Sequence, residues 1–136
     1  MSLTLFTLTA TYRAVISDGA DVDGGDPDIQ NITATAMFEP SVSEVIVGGV
    51  TYRLQPVTAR LDEDGQLHTI HGDLGARLVA GSDDPDSPLH GLTYLVRFSN
   101  VNYDKRRGTQ LNPIRFVAPT SDVTVDITEV TRVAIR

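Results

Sequence analysis

Apolar and polar residues alternate along most of this chain, and the alternation runs longest near its start. Phe6, Leu8, Ala10, Tyr12, Ala14 and Ile16 fall on one side, with Thr7, Thr9, Thr11 and Arg13 on the other. Side chains of a strand repeat every two residues, so this run predicts a strand with one buried face. Ile32, Ala34, Ala36 and Phe38 repeat the pattern up to Pro40. Residues 45–47 form a short apolar strand, and Gly48-Gly49 predicts a tight hairpin turn into Val50-Thr51-Tyr52. After Pro56, Val57, Ala59 and Leu61 alternate with Thr58 and Arg60, and Asp64-Gly65 is a further turn signal.

Two more alternating strands flank a loop rich in Asp and Pro. In the first, Ala76, Leu78 and Ala80 oppose Arg77 and Val79. In the second, Leu92, Tyr94, Val96 and Phe98 oppose Thr93, Leu95, Arg97 and Ser99. Ile114 and Phe116 head a short strand, and Val123, Val125 and Ile127 mark the last clear one. No segment carries a convincing helical period. Short strands punctuated by Gly, Pro and Asp predict an all-β fold. The expected form is an antiparallel two-sheet β-sandwich, Ig-like or jelly-roll-like, of about seven to nine strands. It is expected to be a single domain over residues 1–136, with an acidic loop at residues 18–28.

Composition narrows the partners. A net charge of −7, from 18 acidic and 11 basic residues, repels phosphate backbones and anionic lipid, so neither nucleic acid nor membrane is expected as a partner. The one basic cluster, Lys105-Arg106-Arg107 beside Gly108, reads as a solvated hairpin tip. With no Cys there are no disulfides and no thiolate metal sites. The N-terminal stretch lacks the basic region and unbroken apolar run of a signal peptide, which predicts a soluble, uncleaved chain.

Candidate chemistry is sparse. Asp83, Asp84 and Asp86 lie in Ser82-Asp83-Asp84-Pro85-Asp86-Ser87-Pro88, read first as a rigid turn and second as a calcium contact. Asp18, Asp21, Asp23, Asp26 and Asp28 crowd the acidic loop, but Gly25 stands where an EF-hand needs a ligand, so a solvated loop is the expectation. His68 and His71 are three apart on a strand-like segment, an offset that sends them to opposite faces, and His90 sits in another loop. Asn31-Ile32-Thr33 matches a glycosylation acceptor by accident of sequence. Leu5, Val15 and Leu95 face away from the predicted core, as either a second apolar layer or a partner contact. No residue is nominated as catalytic, cofactor-binding or metal-ligating, and no cofactor is expected.

The ordered pattern resembles the β-sandwich module near the start of minor tail proteins of actinobacterial phages and prophages. The resemblance rests on Ile32-Thr33-Ala34-Thr35-Ala36-Met37-Phe38-Glu39-Pro40, and on the Pro56-led strand that closes in Leu61-Asp62-Glu63-Asp64-Gly65. It continues through Asp83-Asp84-Pro85-Asp86 with Pro88, Leu92-Thr93-Tyr94-Leu95-Val96, and Pro119 with Val125-Asp126-Ile127. It covers nearly the whole chain in order.

The resemblance implies a non-enzymatic virion structural protein, a minor tail, baseplate or tail-fibre adaptor component that mediates tail assembly. Its implied partners are other tail proteins and further copies of itself, as a trimer or hexamer. Its implied location is the virion tail, with assembly in the host cytoplasm. Longer members continue into fibre or receptor-binding segments, so a chain ending at Arg136 is expected to be a stand-alone component or a trimmed form. The alternative is a carbohydrate-binding module that docks on host cell-wall glycan. Sugars stack on aromatic platforms, yet the chain has no Trp, and Tyr12 and Tyr94 lie on predicted core faces. Tyr52 and Tyr103 remain for that role.

Overall fold

The computed structural model describes residues 3–16, 28–103 and 110–135, which form thirteen strands and no helix. In chain order the first seven are β1 (Leu5–Thr9), β2 (Arg13–Ile16), β3 (Asp28–Asn31), β4 (Thr33–Pro40), β5 (Glu44–Val47), β6 (Val50–Arg53) and β7 (Val57–Leu61). The rest are β8 (Leu67–Thr69), β9 (Ala76–Val79), β10 (Thr93–Asn102), β11 (Ile114–Val117), β12 (Thr124–Asp126) and β13 (Arg132–Val133). A six-stranded sheet runs β13-β11-β10-β4-β7-β8, and a three-stranded sheet runs β12-β1-β9. The pairs β2–β3 and β5–β6 are separate two-stranded ribbons.

The core lies where alternation put it. Ile32, Ala34, Ala36 and Phe38 are all buried, as are Ala76, Leu78 and Ala80. Phe6, Leu8 and Leu78 of the smaller sheet join Phe38, Val96 and Phe116 of the larger one in a single apolar cluster. Phe6 meets Tyr94 edge-on at 6.2 Å between ring centroids, and Tyr94 stacks on Phe116 at 5.8 Å. Each fully buried Phe contributes about 2–3 kcal/mol through removal of apolar surface from water. The Gly48-Gly49 turn is also where expected, with φ of 60° and 78° between the paired Val47 and Val50.

Several expectations need correction. The strands number thirteen rather than about seven to nine, and they form four sheets rather than two. Nor is the pairing purely antiparallel, because β1 lies parallel to β12 from Thr7 opposite Thr124 to Thr9 opposite Asp126. The long run from Phe6 to Ile16 is not one strand. At Ala10–Tyr12 the chain changes partners: the Ala10 carbonyl accepts from Leu67 N, and Tyr12 N donates to the Gly65 carbonyl. Side-chain alternation survives such a switch, so the sequence cannot register it. β8, β12 and β13 hold two or three residues each, too few for a pattern to stand out. The flanks of the Asp-Pro loop do not pair with each other: β9 pairs with β1, and β10 with β4 and β11.

Leu95 belongs to the fold rather than to a free surface, being buried at 5% exposure on the side away from the main core. The β12 strand is fixed beside β1 by Asp126. Its carboxylate accepts from Thr9 Oγ1 at 3.0 Å and from Thr128 N and Oγ1 at 3.1 and 2.9 Å. Burial pushes this carboxyl up, but the three hydrogen bonds outweigh it and hold the group below its ordinary value.

Candidate functional site

The best-defined polar constellation lies in a cleft of about 410 Å³ at the β7–β8 end of the six-stranded sheet. Thr33, Arg60, Asp62, Glu63, His68 and Thr69 line it. Asp62 directly follows β7, and its Oδ1 accepts from the amides of Asp64 and Gln66 at 2.9 and 3.1 Å, closing the turn that Asp64-Gly65 signals. Its Oδ2 lies 3.0 Å from His68 Nδ1, which also lies 3.1 Å from the Gln66 carbonyl. Both neighbours of Nδ1 are acceptors, so the network assigns the proton to Nδ1 and leaves Nε2 with the lone pair in the neutral ring.

An imidazole oriented by a carboxylate is half of a base–nucleophile arrangement, and the other half would be a hydroxyl. Here both threonine hydroxyls have other partners. Thr33 Oγ1 donates to the Asn102 carbonyl at 3.4 Å, and Thr69 Oγ1 accepts from the amides of His71 and Asp73 at 3.2 and 3.1 Å. The pair therefore reads as a lock on the β7–β8 turn. Asp62→Ala is expected to lower stability by about 1–2 kcal/mol, since three hydrogen bonds to one partly exposed carboxylate are lost. A denaturant midpoint measures it, and no change would mean that the turn closes without the carboxylate.

The two histidines do not share a strand, so the alternation argument applies to neither as a pair. His68 is in β8, whereas His71 lies in the turn that follows. His90 is elsewhere, its Nδ1 3.2 Å from the Ser82 carbonyl. Among the described residues no three His, Cys, Asp or Glu side chains gather to hold a metal ion.

The Asp-Pro loop is the expected turn. Ser82 Oγ accepts from Asp84 N at 3.1 Å, Asp84 Oδ1 from Asp86 N at 3.0 Å, and Ser87 Oγ from Leu89 N at 3.1 Å. Asp83 Oδ2 accepts from Thr120 Oγ1 at 3.2 Å, which ties the loop to the segment before β12. Four of the acidic-loop positions, Asp18, Asp21, Asp23 and Asp26, and the cluster Lys105-Arg106-Arg107 lie outside the described residues. Asn31 has both ends of its amide engaged: Arg13 Nε donates to Oδ1 at 3.0 Å, and Nδ2 donates to the Glu63 carbonyl at 3.2 Å.

The tyrosines do not divide into two core and two free residues as expected: Tyr94 alone is buried, and the other three are half-buried against the core. Tyr94 is buried, and its hydroxyl donates to the Val79 carbonyl at 2.8 Å. Tyr12 is half-buried against Phe98, 5.1 Å between ring centroids. Tyr52 and Tyr103 are both half-buried and packed on the core, so neither stands free as a flat platform.

The outward apolar positions were only partly anticipated. Leu5 is 38% exposed and Val15 67%, but Ile29, directly opposite Val15 across the β2–β3 ribbon, is 68% exposed and carried no sequence signal. Its neighbours Asp28 and Gln30 do alternate with it, yet three residues beside an acidic loop are too few to reveal a strand. No family model, curated protein or solved structure matches the chain.

Proposed function

We propose that this chain is a non-enzymatic structural component of a phage or prophage tail, in which a β-sandwich joins neighbouring tail or baseplate subunits. The observation that carries the reading is the β2–β3 ribbon. Its strands pack on each other and on no other strand to a comparable degree. A two-stranded ribbon is at best marginally stable in water by itself. This one turns half-buried Ala14 towards the core and presents Val15 and Ile29 as a paired apolar spot outside it. Covering that pair with a neighbouring subunit removes apolar surface worth about 1–2 kcal/mol per side chain. The ribbon edges, unpaired with any other named strand among the described residues, also offer backbone groups for pairing with another chain. Closed cyclic symmetry, as a trimer or hexamer, suits a tail.

The test is light-scattering mass of the chain, alone and co-expressed with neighbouring tail proteins, against a Val15→Asp, Ile29→Asp double variant. The expected result is a closed oligomer or co-assembly that the double variant loses while keeping its circular dichroism. A wild-type chain that neither self-associates nor co-assembles overturns the reading. Binding to cell-wall glycan that Tyr103→Ala removes would replace it with the lectin alternative.

A further inference from the structure

We infer that the outward face of the six-stranded sheet is a docking surface for an acidic polypeptide segment of a partner protein. Cross-strand partners share a face, and the register fixes which residues lie together. Arg115 is opposite Leu95, and Arg97 is opposite Met37, which is itself opposite Thr58. Arg60 is opposite Thr35 on one side and His68 on the other. Ala36, Phe38, Val96 and Phe116 occupy the alternate positions and point into the core. Arg115, Arg97 and Arg60 therefore point the other way. Each step from Arg115 to Arg97 to Arg60 moves across the sheet and two residues along it in the same direction. Strand spacing and rise make the line about 20 Å long, the length of roughly six extended residues.

Among the described residues these arginines form no ion pair with an acidic side chain. Only two ion pairs form among the described residues, His68–Asp62 and Arg77–Asp122, and neither involves the line. Arg115 Nη1 donates to Thr93 Oγ1 at 3.3 Å, while Arg60 and Arg97 are exposed. Glu39, opposite Leu95, is the one carboxylate among the outward positions of β4, β7, β10 and β11, while Asp62, engaged with His68, and Glu63 lie in the cleft beside Arg60. In a chain with 18 acidic residues and a net charge of −7, four strands bearing three aligned arginines and one carboxylate are a local inversion, offset only at the Arg60 end by Asp62 and Glu63. Screening lengths near 8 Å in physiological salt let such a face act independently of the net charge.

The same face indicates the occupant. A guanidinium fork matches a carboxylate, two hydrogen bonds to two oxygens. No outward position on these four strands is aromatic, so sugars and nucleobases find no ring to stack on. Met37, 41% exposed between Arg97 and Thr58, is a soft apolar seat within the line. An extended segment of acidic residues with an apolar side chain among them meets all of these groups. The surface is separate from the Val15–Ile29 ribbon, and its test stands whether or not the tail reading does.

The experiment is fluorescence anisotropy with two labelled probes, polyglutamate and a peptide alternating Glu and Leu. The expected result is binding at about 0.02 M salt that weakens steeply by about 0.3 M. Arg97→Glu and Arg60→Glu should each weaken it by roughly 10-fold or more, with Lys105→Ala, Arg106→Ala, Arg107→Ala together leaving it largely intact. Arg97 and Arg60 are exposed, so these variants are expected to fold, and circular dichroism checks this. No binding at low salt overturns the inference. So does binding indifferent to Arg97→Glu, binding lost only in the Lys105–Arg107 variant, or binding to heparin without binding to either peptide.

Discussion

Gly65→Ala is expected to destabilise the protein by about 3 kcal/mol or more, a large share of the margin of a domain this size. Gly65 has φ of 74°, a conformation that costs a residue with a Cβ about 1–2 kcal/mol. An added Cβ would also lie 2.5 Å from the Tyr12 carbonyl oxygen. That oxygen has little room to retreat, because it accepts from Ile32 N at 3.1 Å while Tyr12 N donates back to the Gly65 carbonyl at 2.9 Å. Gly49→Ala is the internal control. Its φ is 78°, but nothing lies within 4 Å of the added Cβ, so the expected cost is about 1 kcal/mol. Denaturant midpoints of the two variants separate conformation from contact. Equal losses would mean that the close approach of the β7–β8 turn to Tyr12 relaxes easily.

Alkaline unfolding should be governed largely by Tyr94. Burial pushes its phenol from the ordinary 10.0 up to about 12. In the unfolded chain the group ionises near its ordinary value, so above pH 10 deprotonation favours unfolding. Its contribution is fully present below about pH 10 and lost as the pH rises through about 12, a change of roughly 3 kcal/mol. Tyr94→Phe removes that dependence. It also leaves the Val79 carbonyl without its 2.8 Å donor, which lowers stability at neutral pH by about 1–2 kcal/mol. Stability measured from pH 8 to 12 should therefore fall more steeply in wild type than in the variant. Parallel curves would place the alkaline sensitivity elsewhere.

How much of this was legible follows from what alternation encodes. It reports which side of a strand is buried, and so it located Phe6, Phe38, Leu78, Tyr94 and Phe116 in the core. It does not report which strand lies alongside. Hence the break at Ala10–Tyr12, the parallel β1–β12 pair and the assignment of β9 and β10 to different sheets all escaped it. Turn chemistry was readable because it is local: Gly48-Gly49, Asp64-Gly65 and Ser82–Ser87 act through their own backbone or residues nearby. The candidate surfaces are the opposite case. Ile29 matters because Val15 faces it, and Arg60, Arg97 and Arg115 because three other strands set them in line. Positions far apart in sequence become one surface only through register.

The parallel pair bears on the order in which the molecule is made. Thr9, near the start, is bonded to Asp126, 117 positions later. β1 is thus made more than a hundred residues before the partner that closes its sheet. Contacts this distant in sequence slow folding, towards milliseconds to seconds for a domain of this kind. During that wait β1 carries the apolar Phe6 and Leu8 on an open edge, next to a growing supply of identical chains. Timely arrival of β12 is thus a requirement for clean synthesis as much as for the finished fold.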